Sequence, residues 1–458
     1  MLHETIVSHF ASHPIKAFRL TVENIGRKAA LKDAFAKNYR FSPARLPYNQ
    51  DILTYISDAR ESGRKVILAS GSNGRIVRSI SEYLGIFDDV LASDAKTNLT
   101  GALKLQAIRQ LVGSDNFEYI GNASVDLILW ESATLRGIVS NSHGLISRLK
   151  SMDPSTRVFT QAIGPIRETL KAIRLHQWVK NLLLFIPLIA AYGIGNGSEW
   201  VSTLLGFVAF STLASASYVV NDLADIENDR ANLHKSKRPF ANGTISIPKG
   251  LLTALSLGIL SFAISSALGI QFFFCILAYL GLTVTYSLLI KKLALVDIVT
   301  IALLFTLRII AGGAAAGIEV SFWLLILSFF LFVSFALVKR YAELEHVFRS
   351  GGDAAKGRGY RSTDLPLIQA MGVGSGLVAV LVLALYLDSD TVRFTYAVPE
   401  IGLLALPAFL LFNGRIWLKA HRGEMHQDPV VFAIRDLPSL LSLLFLVATL
   451  LVSHFGVK

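Results

Sequence analysis

From about residue 180 onward the chain reads as long apolar blocks separated by short polar loops. The blocks lie near 181–197, 201–220, 251–269, 271–290, 297–315, 321–338, 367–387, 399–413 and 437–455. Most approach the roughly 20 apolar residues that carry a helix across a bilayer. The pattern predicts about nine transmembrane helices, the block at 399–413 being the shortest. Before residue 150 the rhythm is different. Short β-like runs, Val66-Ile67-Leu68-Ala69, Asp89-Val90-Leu91-Ala92, Tyr119-Ile120-Gly121 and Gly137-Ile138-Val139, alternate with amphipathic stretches at 49–61 and 75–84. Parallel βαβ units read this way. The expected architecture is a soluble α/β region at 1–150, a linker or interfacial helix at 151–170, and a multi-pass all-α membrane region at 171–458.

Composition removes other classes. With 52% hydrophobic and 17% charged residues, the chain is too apolar for disorder or for an ordinary soluble protein. Cys275, the single cysteine, excludes an intramolecular disulfide and a cysteine-built zinc site. The net charge of +11 by itself allows nucleic acid, a membrane surface or an acidic substrate. Its distribution decides among them. Cations such as Lys249, Arg349, Lys356, Arg361, Arg415, Lys419, Arg422 and Arg435 fall in the loops after blocks two, four, six and eight. The opposite loops carry Arg393 and Lys458 with Glu199, Glu319, Asp388, Asp390 and Glu400. The positive-inside rule makes the first set cytoplasmic. The first forty residues hold recurring charges and no apolar core of signal-peptide length, so the 1–150 region is expected on the same side. A bacterial cytoplasmic membrane is the expected location, and nucleic acid drops out as a partner.

The most informative stretch runs Asn221-Asp222-Leu-Ala-Asp225-Ile-Glu-Asn-Asp229-Arg230. Carboxylates at i, i+3 and i+7 share one face of a helix, where they repel unless a cation lies between them. Hard oxygen ligands suit Mg2+, which shares its shell with substrate phosphates. Lys235, Lys237 and Arg238 follow, able to hold diphosphate oxygens. A charged, solvated helix end accounts for either lysine alone, but not readily for three aspartates at this spacing. The loop after the fourth block repeats the theme with Tyr286, Lys291 and Lys292, then Asp297. Arg308 lies about three helical turns beyond Asp297, so both can face one cavity. An ionisable residue at membrane depth is a functional candidate, with interhelical pairing as the plainer reading. Lys180 and Asn181, at the start of the first block, join the candidates.

The motif Asn221-Asp222-x-x-Asp225-x-x-x-Asp229-Arg230, followed by Lys237-Arg238-Pro239 and Gly243, resembles the first aspartate signature of the UbiA superfamily of intramembrane prenyltransferases. The resemblance covers roughly 165–458. It implies nine transmembrane helices around a cavity and Mg2+ bound with a diphosphate. It places the metal on Asp222, Asp225 and Asp229. The second signature departs from the family, since Ile301 leaves Asp297 without a second aspartate. Three segments look like the decaprenyl-phosphate phosphoribosyltransferase branch: Gln177-Trp178-Val179-Lys180-Asn181, Asp297 through Arg308-Ile-Ile-Ala311-Gly312-Gly313, and Lys339-Arg340-Tyr341-Ala342-Glu343. That branch transfers phosphoribose from phosphoribosyl diphosphate to a polyprenyl phosphate and releases pyrophosphate, a step in cell-envelope lipid synthesis. The resemblance implies catalytic roles for the three aspartates and Asp297. Substrate contacts would come from Lys180, Asn181, Asn221, Arg230, Lys237, Arg238, Tyr286, Lys291, Lys292, Arg308, Lys339, Arg340 and Tyr341.

In the first region, Leu68-Ala69-Ser70, Asn98-Leu-Thr-Gly101 with Lys104, and Gly121-Asn122-x-x-x-Asp126 resemble the later motifs of haloacid-dehalogenase-like (HAD-like) phosphatases, which have a Rossmann-like α/β fold. The resemblance gives Ser70 to a phosphate, Lys104 to the phosphorylated nucleophile and Asp126 to Mg2+. The Asp-x-Asp nucleophile motif is absent and Asn122 replaces an acid. Two readings stay open: a start lying past that motif, or a pseudophosphatase kept as scaffold. For the whole chain the leading expectation is phosphoribosyl transfer to a polyprenyl phosphate. Polyprenyl transfer from its diphosphate to an aromatic or other acceptor is the second, and a transporter or scaffold the third.

Overall fold

The computed structural model describes residues 2–37, 39, 41–114, 116–159, 165–191, 197–232, 235–353, 358–425 and 428–456. Lys356 and Lys458, counted above among the loop cations, lie outside them. The chain forms two compact units, Met1–Ile173 with Tyr218–Ala254, and Arg174–Ser217 with Leu255–Lys458.

The first unit opens with helices Leu2–Ser12, Pro14–Glu23 and Lys28–Lys37. Helix Gln50–Glu61 starts where the Asn49 side chain accepts from the Ile52 N–H, satisfying an otherwise orphaned donor. β1 (Ile67–Asn73) leads into helix Gly74–Leu84, capped by the Asn73 side chain and closed by Gly85 at φ +65°. β2 (Asp89–Ser93), β3 (Glu118–Gly121), β4 (Leu135–Val139) and β5 (Arg157–Phe159) follow. β1 and β2 pair in parallel, and β3-β4-β5 form a second parallel sheet in that order. The expected strands are therefore present as two small parallel sheets. β5 was not expected, because three residues are too few to show an alternating pattern. It lies inside the expected 151–170 linker, which also holds helix Pro165–Ala172, with 160–164 outside the described residues. Leu129, Trp130, Ile138 and Leu149 are fully buried, and Ala69 of β1 and Leu91 of β2 pack against this core. One apolar core thus serves both sheets.

Eight helices among the described residues are long and apolar enough to cross a membrane: Gly197–Ala224, Ile247–Leu268, Ile270–Leu288, Val296–Ala316, Phe322–Arg349, Ser362–Leu387, Pro399–His421 and Leu437–Phe455. They correspond to the last eight blocks of the sequence. Several display rows of exposed leucine and isoleucine, such as Leu252, Leu255 and Ile259, or Leu437, Leu441 and Leu444. Such surface is stable against lipid, not water. The first block departs from expectation. Its described part is a 3-10 helix, Leu175–Phe185, followed by the short helix Ile186–Ala190, while 192–196 lie outside the described residues. Pro187 in the first turn of the short helix has no N–H to give, so the two runs do not merge into one α-helix. The helix Val296–Ala316 approaches the 3-10 run so closely that a Cβ on Gly312 would lie 2.0 Å from the Leu184 carbonyl oxygen. A second departure concerns Lys339 and Arg340, expected in a loop. Helix Phe322–Arg349 continues through them for two further turns.

Candidate active site

In the first unit the spacing of Asp222, Asp225 and Asp229 predicts one helical face, and the structure interrupts it. The helix ends at Ala224, and Asp225 stands before the short helix Ile226–Arg230 with φ −99° and ψ 11°. The interruption is a local distortion at Asp225, because helix-spaced main-chain bonds still run from the Asp225 N–H to the Asn221 carbonyl at 3.0 Å and from the Asp229 N–H to the Asp225 carbonyl at 2.8 Å. Among the described residues no three acids, histidines or cysteines are gathered closely enough to hold a metal ion, so the expected three-aspartate ligand set is not assembled.

Two of the three nevertheless converge. Asp222 and Asp229 are buried, and both accept from one nitrogen, Arg238 Nη1, at 2.9 and 2.7 Å. Burial pushes the Asp229 carboxyl above the usual range, with Arg238 pulling the other way and Asp225 adding repulsion. Hard oxygen donors aimed at one centre of positive charge are a donor set that suits Mg2+, with the guanidinium in that position here. Asn221 is half-buried, and its carbonyl accepts the Asp225 N–H at 3.0 Å. Arg230 is engaged elsewhere: its guanidinium pairs with Glu4 of the first helix, and its Nε donates to the Ala241 carbonyl at 2.9 Å. Tyr39 donates to Glu4 at 3.3 Å, and burial raises its phenol. Lys237 is exposed.

The second unit collects most of the other candidates into three groups. Asp297, with no exposed surface, accepts from Arg340 Nε at 2.7 Å and from the Tyr360 hydroxyl at 2.5 Å. Arg340, also buried, pairs with Glu343 at 2.5 Å and donates to the Tyr286 hydroxyl at 3.0 Å, which Arg358 reaches at 2.8 Å. Asp297, Arg340 and Tyr286 are thus brought together.

Arg308 forms the next group. Its Nε donates to Asn181 Oδ1 at 2.9 Å, and its guanidinium lies 5.1–5.2 Å from the rings of Phe210, Tyr279 and Phe305. Asn181 in turn donates to Ser211 at 2.9 Å. Asp297 and Arg308 share a helix, as their spacing requires, but take different partners.

The last group is Lys180, whose Nζ contacts Asp428 Oδ2 at 2.6 Å, with Lys339 Nζ at 3.8 Å from the same oxygen. Tyr341 stands apart, hydrogen-bonded to His421 at 3.1 Å against Trp417. Lys291 and Lys292 sit in a 3-10 turn, half-exposed and exposed.

Of the phosphatase-like residues, Lys104 Nζ lies 3.1 Å from Asp126 Oδ1, and the Tyr119 hydroxyl bonds to both at 3.0 Å. Ser70 lies on β1, its hydroxyl accepting the Ser72 N–H at 3.2 Å.

Sequence reasoning missed Glu4, Tyr360, Arg358 and Asp428. Asp428 carried a usable signal: Asp-Pro before an apolar run marks a helix start, and its Oδ1 does cap Val430. The ion pair made by its other oxygen had no local sign.

Eight long apolar helices, two of them joined by the buried Asp297–Arg340 ion pair, define an integral membrane protein. Residues 182–429 match the UbiA prenyltransferase family, and the chain belongs to that family of membrane transferases. An uncharacterized protein of Sinorhizobium fredii, y4nM, is 34% identical over 439 residues, covering 95% of this chain and 84% of its own length. Decaprenyl-phosphate phosphoribosyltransferase from Mycobacterium tuberculosis is 36% identical over 204 residues, 43% of this chain and 68% of that protein. A UbiA homolog from Archaeoglobus fulgidus, solved with DMAPP and Mg2+, aligns with a TM-score of 0.48 at 19% identity, over 62% of this chain and all but 1% of that one, 99% being covered.

Proposed function

We propose that this transferase moves 5-phosphoribose from phosphoribosyl diphosphate to a polyprenyl phosphate. The bond between the sugar's C1 and the diphosphate oxygen breaks, an oxygen of the lipid phosphate takes its place on C1, and pyrophosphate leaves. The observation that carries this reading is the surplus of cations in one part of the second unit: the buried Lys180 and Arg308 and the partly exposed Lys339 stand against Asp428, with Glu343 adding attraction for Lys339. Cations held away from bulk water bind phosphates strongly, and a substrate pair carrying four phosphates, two of them joined as the diphosphate, needs several of them. The 36% identity over 204 residues to the M. tuberculosis phosphoribosyltransferase supports the same choice.

Asp222 and Asp229 would hold Mg2+, with Asp225 adding charge beside them; the ion would neutralise the diphosphate as it departs. Arg238 and Lys237 are suited to its oxygens, and Lys291 and Lys292 to the sugar's phosphate. Asp297 fixes Arg340, Tyr360 and Tyr286 as one rigid group, and Asn181 fixes Arg308. We assign the active-site loops to the cytoplasmic side of a bacterial inner membrane, following their cationic bias. The 1–150 region is assigned as a HAD-like domain, its Lys104–Asp126 pair being what remains of a phosphate-handling site.

Incubating the protein in nanodiscs with Mg2+, a polyprenyl phosphate and radiolabelled phosphoribosyl diphosphate should give labelled lipid, and Asp222→Asn should abolish it. Unlabelled lipid, together with prenylation of an aromatic acid by polyprenyl diphosphate, would instead assign the other transfer.

A further inference from the structure

The Lys180–Asp428–Lys339 group is arranged as an occupied anion site. Lys180 is 9% exposed, and its ammonium reaches one oxygen of Asp428, with the Lys339 ammonium near the same oxygen. Lys180 also stands 5.9 Å from the Phe305 ring, whose centroid lies 5.1 Å from the Arg308 guanidinium. Three cations therefore surround this corner of the second unit; Asp428 is the carboxylate that Lys180 contacts, and Glu343, already paired with Arg340, adds attraction for Lys339 alone. Burial would raise the Asp428 carboxyl, but Lys180 and Lys339 outweigh it and hold the group below the ordinary carboxylate value. A buried charge without full compensation is costly, and a denser anion relieves it better than a carboxylate can.

The two oxygens of Asp428 have separate duties. Oδ1 accepts the Val430 N–H, at 3.2 Å, and starts the helix Pro429–Arg435. Oδ2 faces the lysines. The cap needs only a neutral oxygen, as an asparagine supplies. The charge is surplus to the fold's local need, which leaves the lysines as its reason.

We propose that the Asp428 carboxylate is a built-in stand-in for a phosphate monoester, and that this phosphate displaces it from Lys180 and Lys339 on binding. The proposal rests on the phosphate-transfer reading above and adds a regulatory element to it: Asp428 competes with substrate, keeping the lysines neutralised until phosphate arrives. The phosphate is either the headgroup of the lipid or the 5-phosphate of the sugar.

The test is Asp428→Asn, which keeps the cap and deletes the competing charge. Binding of ribose 5-phosphate and of farnesyl phosphate is measured separately by calorimetry on the full chain in nanodiscs, without donor or turnover. One of the two should bind about tenfold more tightly to the variant than to wild type, which identifies the source of the phosphate. Lys180→Gln, in either background, should weaken that same ligand about tenfold or more. Unchanged or weaker binding of both ligands to Asp428→Asn overturns the proposal, because a carboxylate that merely orients Lys180 would be missed when removed. So does Lys180→Gln with unchanged affinity. The labelled-lipid assay can fail while this gain persists, since a prenyl diphosphate transferase would also present phosphates to these lysines.

Discussion

Asp297→Asn isolates the best-buried charge among the described residues. The carboxylate is 0% exposed and its partner Arg340 is 1% exposed. Arg340 Nε at 2.7 Å and the Tyr360 hydroxyl at 2.5 Å hold its two oxygens, and Arg358 lies at 4.0 Å. The amide is the same size and still offers an oxygen, so packing is preserved and only the charge goes. What remains is a buried guanidinium with Glu343, whose side chain is 39% exposed and correspondingly screened. Leaving one member of a buried pair uncompensated costs about 3–5 kcal/mol. At about 1.4 kcal/mol per decade, that is two to three and a half orders of magnitude in the unfolding constant. Denaturant unfolding in detergent micelles, followed by far-UV circular dichroism, would measure it. Asp297→Leu with Arg340→Met provides the control. Removing both charges leaves none stranded, so the double variant should recover more than half of the loss. A single variant within about 1 kcal/mol of wild type, or a double variant no better than the single, would show that the pair is not what stabilises this region.

Three shorter predictions concern other elements. Gly312→Ala should cost about 3 kcal/mol or more, or prevent accumulation, because its Cβ would meet the Leu184 backbone, which cannot rotate away; wild-type yield and unfolding would contradict the close approach. Glu4→Gln removes the charge that pairs with Arg230, so it should loosen 218–254 by about 2 kcal/mol, read as faster limited proteolysis there. An unchanged cleavage rate would mean the first helix does not restrain the aspartate segment. Asp436 sits below its ordinary value of 3.8, chiefly through hydrogen bonds from Arg415 at 2.5 and 2.8 Å, then Ser439, against burial. A carboxylate lowered by folding contributes stability above its ordinary value and loses it as the pH falls towards the native one. Wild type should therefore lose stability below about pH 4 more steeply than Asp436→Asn, and equal slopes would refute the linkage.

The membrane helices were legible because a bilayer imposes one requirement, about 20 apolar residues, that is written locally in the chain. The strands β1 to β4 were legible for a similar reason, each being a short apolar run between helical stretches. The first block misled, since Leu182 to Ile189 is as apolar as any span and only Pro187 hints at the change from 3-10 to α geometry. The aspartate segment misled differently. Nothing in Leu223-Ala224-Asp225-Ile226 is a helix breaker, and the even spacing of the acids suggests a continuous face. The break accompanies contacts from elsewhere in the unit: Arg238 returns onto Asp222 and Asp229, and Glu4, 226 residues away in sequence, holds Arg230. The pairing of Lys180 with Asp428 spans 248 residues, beyond the reach of any local pattern. Candidate cations were thus identifiable by type and depth, but which carboxylate each would meet was not.

That difference bears on how charge is stored in the second unit. Asp297 and Arg340 neutralise one another, with hydroxyls on the remaining donors and acceptors, and such a pair can serve as a fixed frame. Arg308 is treated otherwise: its recorded partners, Asn181, the Leu304 carbonyl and three aromatic rings, are all neutral. Lys180 and Lys339 both face the Asp428 carboxylate, and Lys339 is also drawn by Glu343, which Arg340 already holds. Aromatic faces and amides soften the cost of a buried cation without cancelling its charge. The protein therefore keeps one ionic group balanced and leaves the neighbourhood of Phe305 under-balanced. An under-balanced site gains most from an anion, so phosphate binding should stabilise the fold as well as fill the site, by an amount that rises with the logarithm of ligand concentration. A frame that is already neutral should gain nothing from the same ligand. Thermal unfolding of wild type and Lys180→Gln with rising ribose 5-phosphate or farnesyl phosphate separates the two: the upward shift belongs to Lys180 and should vanish with it, while Asp297→Asn, though less stable at the outset, should keep its slope.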